Sequence, residues 1–169
     1  MLAALKARFN GADDFCLREL TAGGQVLYAL FLDGMTSGSD ISDFVVRPLM
    51  ENLRPGTPEE LYAQAQRGAV WCAVCEEADS AEAAADKLTH GYCVVVFPGL
   101  AKALCFEAKS GTRRGPSAPE SENTVKGAKD AFTETIRINT ALVRRHLRTP
   151  ELRLASKTVG RRTQTNVKV

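Results

Sequence analysis

The stretch from Arg113 to Arg148 constrains this chain more than any other. It opens with a segment that neither helix nor sheet tolerates. Pro116 and Pro119 fix φ and remove two backbone donors, and Gly111 and Gly115 add turn freedom. The pattern then switches to steps of three and four. Phe132, Ile136, Asn139 or Thr140, Val143 and Leu147 share one helix face, widened by Ile138 and Leu142, while Arg137, Arg144 and Arg148 fall toward the other. Glu134 near the start and Arg144, Arg145 and Arg148 near the end suit the helix macrodipole. Thr149-Pro150 stops the run, because a residue before proline is pushed out of the helical region. The spacing predicts a helix over residues 130–147 with its apolar side in the core.

A chain of 169 residues is long enough for one domain with a real core. Its 44% hydrophobic and 25% charged residues are ordinary for a globular protein. No run approaches the ~18 apolar residues of a membrane-spanning helix, and MLAALKARF is too short and too charged for a secretory signal. The net charge of +2 names no partner, but the charge is uneven. Glu76, Glu77, Asp79, Glu82 and Asp86 make an acidic middle. Arg144, Arg145, Arg148, Arg153, Lys157, Arg161, Arg162 and Lys168 make a basic end, read as a solvated helix face plus strand-edge charges. It lacks the aromatic platforms of a single-strand binder, so no nucleic-acid partner is expected. Five cysteines, an odd number, argue against a complete disulfide framework. Cys16, Cys72, Cys93 and Cys105 sit among apolar neighbours, as core residues of a reducing compartment do.

Taken in order, residues 1–12 hold a short helix. Strands over 15–20 and 25–32 flank Thr21-Ala22-Gly23-Gly24 and make an antiparallel hairpin. A helix begins at Gly38–Asp40, capped by Ser39 or Asp40, with Ile41, Phe44, Val45, Leu49 and Leu53 on one face and a break or kink at Pro48. Thr57, Pro58 and Glu60 form a capping box for a helix reaching about Arg67, ended by Gly68. A strand over 70–75 and a helix over 80–88 capped by Ser80 follow. Tyr92–Phe97 is a nearly continuous apolar run, read as a buried central strand. A partner strand covers 101–108, and strands over 152–159 and 163–169 close the chain. The class predicted is α/β: a mixed β-sheet with packed helices, residues 1–148 forming a first subdomain and 149–169 the beginning of a second.

Chemical motifs are sparse. Cys72-x-x-Cys75 has dithiol spacing, but it lies within the expected strand and precedes Glu76 and Glu77, which raise thiol pKa values. Zinc would need two close ligand pairs, and Cys93, Cys105, His90 and His146 do not supply the second. No G-x-S-x-G, phosphate-binding P-loop or G-x-G-x-x-G occurs, and His90 and His146 read as surface or capping residues. No catalytic residue, cofactor or metal site is therefore expected. The acids and bases around the loop, Arg113, Glu122, Glu134, Arg144 and Arg145 among them, could fix the loop on the helix or face another subunit. Asn139, on or beside the apolar stripe, must find a hydrogen bond. The expected one is to loop backbone near Glu122, the other reading being a contact across subunits or to the following subdomain.

The order Ser117-x-Pro119-x-x-Glu122, Lys126-Gly127, Phe132-Thr133-Glu134, Asn139-x-x-Leu142-Val143-Arg144-Arg145, Pro150-x-Leu152 and Val159-Gly160-x-x-Thr163-x-Thr165-x-Val167 resembles the soluble N-terminal domain of the A subunit of GerA-type spore germinant receptors. Arg18-Glu19-Leu20, Phe31-Leu32-Asp33-Gly34 and Arg47-Pro48-Leu49-Met50 extend the likeness upstream. Ala118 and Ala128 depart from it, standing where the family has Glu and Pro. A stage V AF-type sporulation protein shares the motif. The resemblance implies a non-enzymatic domain on the spore-core, cytoplasmic side of the inner membrane, working with B- and C-type subunits and copies of itself in assembly and in coupling binding to ion release. It also implies that the chain continues into a second α/β subdomain and a membrane region. Two other classes stay open: a small-molecule-binding lobe, since the family domain looks like solute-binding proteins, and a Cys-x-x-Cys redox protein.

Overall fold

The apolar run at residues 92–96 is the middle of the fold. The computed structural model describes residues 1–110 and 132–169. In it β4 (Tyr92–Val96) is buried at every position and is flanked by β2 (Gln25–Leu32) and β5 (Ala103–Glu107). With β1 (Phe15–Ala22) and β3 (Cys75–Ala78) at the edges, the sheet order is β1-β2-β4-β5-β3. The α/β class expected from the sequence is the one observed. The sheet expected to be mixed has only antiparallel ladders among the described residues.

Helices cover both faces, which is why β4 carries no polar alternation. Cys93, Val95 and Phe97 pack with Leu27, Leu104, Phe106 and the helices of residues 38–69. Val94, Val96 and Cys105 pack on the opposite face with α1 (Leu2–Arg8) and α5 (Ala81–Thr89), through Leu5, Phe9, Ala84, Ala85 and Leu88. Burial pushes the Cys93 thiol up, and that of Cys105 to about 12; both behave as small apolar side chains.

The first hairpin forms as the Gly23-Gly24 turn predicts, with Ala22 opposite Gln25. The kink foreseen at Pro48 takes a specific form. After α2 (Gly38–Asp40), capped by Ser37 instead of Ser39 or Asp40, the chain widens into a π-helical turn over Ile41–Val46 before α3 (Arg47–Asn52). Pro48 has no N–H to give the carbonyl of Phe44 four residues back. That carbonyl instead accepts from the Trp71 amide at 3.1 Å. The capping box of α4 (Pro58–Gln64) is present with both bonds, Glu60 N–H to Thr57 Oγ1 at 3.3 Å and Thr57 N–H to Glu60 Oε2 at 2.8 Å. A π-helical turn over Ala65–Ala69 follows.

Two expectations are corrected. The strand assigned to 70–75 begins only at Cys75, because Val70 and Trp71 are held against the kinked helix. The edge strand is the acidic Cys75–Ala78, paired with β5 alone. The helix expected over 130–147 is α6 (Ile136–His146), with Thr135 as its N-cap. Beyond it, β6 (Ser156–Val159) and β7 (Thr165–Lys168) form a separate two-stranded antiparallel sheet. Among the described residues no helix is long and apolar enough to cross a membrane.

Candidate interaction surface around the C-terminal helix

α6 docks through the face that the sequence pattern assigned to solvent. Arg137, Ala141 and Arg144 stand at i, i+4 and i+7, one row along the helix. They meet the ends of the first hairpin. Gly34 has φ +84°, and a Cβ there would lie 3.1 Å from the Arg137 carbonyl oxygen and 3.4 Å from the Ala141 Cβ. Only a glycine lets the helix backbone come this close. Arg137 Nε donates to Asp33 Oδ1 at 2.8 Å at the exposed end of the row.

Arg144 is fully buried. Its Nε and Nη2 donate to Asp14 Oδ2 and Oδ1 at 2.7 and 2.8 Å, a bidentate pair, and Nη1 donates to the Thr149 carbonyl at 3.1 Å. Planar fork-to-carboxylate geometry of this kind is the strongest form of side-chain hydrogen bonding. The neighbouring Asp13 ties down the next segment: its N–H donates to the Leu154 carbonyl at 3.0 Å, and its Oδ2 accepts from Ser156 N–H at 2.6 Å. The Ser156 backbone bond holds the Asp13 carboxyl below its ordinary value. The dipeptide Asp13-Asp14 thus clamps α6 with one carboxylate and the start of β6 with the other.

The residues singled out from the sequence are placed as follows. Arg113 and Glu122 lie outside the described residues. Glu134 is exposed, just ahead of α6, and Arg145 is half-buried. Asn139 is half-buried and bonds backbone, as a buried amide must, but at Thr133: its Oδ1 accepts from Thr133 N–H and its Nδ2 donates to the Thr133 carbonyl, both at 2.7 Å. These bonds fix the turn that enters α6, whose N-cap Thr135 makes no side-chain cap bond. Arg144 is corrected from the polar face to the interior, so its guanidinium is not available to a neighbouring subunit. Phe132 is corrected from core to surface, 72% exposed, and Leu147 likewise, 54% exposed. Leu142 is buried. Asp13, Asp14 and the clamp they form were missed. An acidic pair just before a strand is the only trace it leaves in the sequence.

The cysteines are free. Cys72 lies outside any strand, near the Glu107 and Val74 carbonyls at 3.3 and 3.4 Å. The Cys75 thiol is pushed up to about 11, by desolvation first and then by Cys72, Glu77 and Glu76. A thiol so raised is a poor nucleophile at neutral pH. Among the described residues no group of three or more His, Cys, Asp or Glu side chains could hold a metal ion.

Comparison with known proteins places this architecture. The model of the Bacillus/Clostridium GerA spore germination protein family matches residues 3–169. The chain is similar to the uncharacterized membrane protein YfkQ of Bacillus subtilis (strain 168), 30% identical over 159 residues that cover 94% of this chain and 31% of that protein. It is similar to stage V sporulation protein AF of the same organism, 28% identical over 92% of this chain and 31% of that protein. Spore germination protein B1, also of Bacillus subtilis, is 26% identical over 99% of this chain and 35% of that protein. The chain thus spans about a third of the length of these relatives. In fold it is similar to the crystal structure of the N-terminal domain of the A subunit of the Bacillus megaterium spore germinant receptor GerK3, with a TM-score of 0.71 at 23% identity, covering 99% of this chain and 61% of that one. The match from residue 3 to residue 169 means that this chain belongs to the GerA family of spore germination proteins.

Proposed function

We propose that this chain is the N-terminal domain of the A subunit of a nutrient germinant receptor, and that it takes part in spore germination by receptor assembly and by coupling binding to ion release. The observation that carries the reading is the family match along the chain, joined to the likeness in fold to the GerK3 domain over 99% of its residues. The partners would be B- and C-type subunits and further copies of the same subunit, at the spore inner membrane, with this domain on the core side. Residues 149–169 would begin a second subdomain: β6 and β7 form a sheet of their own, joined to the first body by Asp13. Glu134, exposed at the start of α6, is the first candidate for contact with a neighbouring subunit.

The test is a charge reversal. Glu134→Lys in the full-length polypeptide is expected to reduce co-purification of the B-type subunit several-fold while leaving the melting temperature of the isolated 169-residue chain unchanged. Undiminished co-purification would remove Glu134 from the interface. Failure of the unaltered full-length polypeptide to co-purify with any B- or C-type subunit would count against the receptor reading itself. It would favour a stage V AF-like role, which the 28% identity to that protein supports as well as the 26% to germination protein B1 supports the first.

A further inference from the structure

Four separate parts of the chain end at one place. Met35 follows β2, His90 closes α5, Lys109 and Ser110 follow β5, and Arg145 and Arg148 come from the end of α6. Together they line a cavity of about 350 Å³. Its floor is held by main-chain bonds: Ser110 N–H to the Met35 carbonyl at 2.9 Å, Ala108 N–H to the Gly91 carbonyl at 3.3 Å, and Ser37 N–H to the Ala108 carbonyl at 2.8 Å. Gly91, at φ +82°, permits this convergence. A Cβ there would stand 3.0 Å from the Met35 carbonyl oxygen and 3.1 Å from Lys109 Cγ.

The charge of the lining is one-sided. Lys109, Arg145 and Arg148 are cations, and the Ser110 hydroxyl is a further donor. His90 Nδ1 donates to the Asp86 carbonyl at 2.8 Å, which leaves Nε2 as its uncommitted ring nitrogen. The opposing charges are Glu107, which pairs with Lys109 at 2.5 Å, and the Asp86 carboxylate, 3.5 Å from His90. Among the described residues neither Arg145 nor Arg148 forms an ion pair. The C-terminal end of α6 itself favours cations. That accounts for arginines at this end, but not for a cavity that gathers them with Lys109 and His90 from two other elements.

We propose that this cavity is an oxyanion-binding site. It would take the phosphate or carboxylate group of a small molecule, or the phosphate of an anionic lipid headgroup, between the Arg145 and Arg148 guanidiniums, with Lys109 and Ser110 completing the shell. Two planar forks and a point charge around a concave site are the side chains that recognise such groups. The proposal does not depend on the receptor reading, because it concerns a site within the chain alone.

The experiment titrates the 169-residue chain with inorganic phosphate at constant ionic strength, following backbone amide shifts. In parallel, sedimentation is measured with phosphatidylglycerol vesicles and with phosphatidylcholine vesicles. The expected result is saturable shifts at Ser110, His90 and Arg145 with phosphate, weakened at least about tenfold in Arg145→Gln/Arg148→Gln. Binding to phosphatidylglycerol vesicles alone, lost in the same variant, would also support the site and assign it to a headgroup. The proposal is overturned if neither probe binds, or if binding persists undiminished in the variant. It is equally overturned if the variant melts lower in phosphate-free buffer, since the arginines are then structural. Ser110→Ala/Lys109→Gln serves as a second variant; unchanged phosphate binding in it would remove those two residues and the cavity with them.

Discussion

The guanidinium of Arg144 is hydrogen-bonded on both of its edges inside the protein, to Asp14 and to the Thr149 carbonyl. Such a pair adds little net stability against an apolar alternative, but breaking it strands a charge. Asp14→Ala is therefore expected to lower the unfolding free energy by about 3–5 kcal/mol in urea titrations. Asp14→Ala/Arg144→Met, which removes the stranded charge, should recover much of the loss. A single variant as stable as the parent would show that the pair is not buried in solution. The partners lie far apart in the sequence, and nothing local marks Arg144 as different from Arg145 or Arg148. Asn139 was more legible. An amide on a mostly apolar stripe must bond something, and the nearest free backbone is the turn entering its own helix, at Thr133.

At the scale of the element, α6 separates what periodicity states from what it leaves open. Steps of three and four correctly announced a helix ending before Pro150. They could not say which face meets the body of the protein, because both faces carry residues able to be buried: one has Ile and Val, the other has arginines with acidic partners waiting. Gly34, Asp33 and Asp14 decided it. Phe132 and Leu142, equal in the sequence pattern, are consequently unequal. Leu142→Ala is expected to cost about 2–5 kcal/mol as a buried truncation, whereas Phe132→Ala, at 72% exposure, should stay within about 0.5 kcal/mol. Equal losses from the two in parallel chemical melts would overturn the observed register of this helix. The misplaced strand at 70–75 has a related cause. Val-Trp-Cys-Ala-Val looks like a strand, yet its Trp71 amide serves the kink at Pro48, and the ladder passes to an acidic segment that no propensity would choose.

For the whole molecule, the acidic edge strand and the Asp13 clamp make stability depend on pH. Hydrogen bonds from Lys87 and then Tyr92 hold the Glu76 carboxyl below its ordinary value, and one from Tyr62 does so for Glu77. Asp13 is lowered by Ser156. Carboxylates depressed by folding contribute fully above their unfolded pKa values of about 4, and that contribution is lost as pH falls through the folded values. The urea midpoint is therefore expected to be level from pH 7 to pH 5 and to fall between pH 5 and pH 3, with a shallower fall in Asp13→Asn. A midpoint unchanged down to pH 3 would contradict these bonds. The tyrosines report the same contacts from the other side, Tyr92 being pushed up to about 12 by its bond to Glu76 and by desolvation.

By itself the sequence determined the α/β class, the first hairpin, the capping box at Thr57, the break at Pro48 and the buried central strand, and with them the family. Each of these rests on residues adjacent to one another or on a local period, where φ preferences, missing donors and hydrophobic spacing act over a few residues. Only the tertiary structure decided that the sheet is antiparallel throughout its described ladders, which face of α6 is inside, and that loops after β2, α5 and β5 meet the end of α6 around a basic cavity. Those outcomes depend on pairings between distant segments, such as Asp14 with Arg144, whose energies exist only once the chain has brought the partners within hydrogen-bond reach.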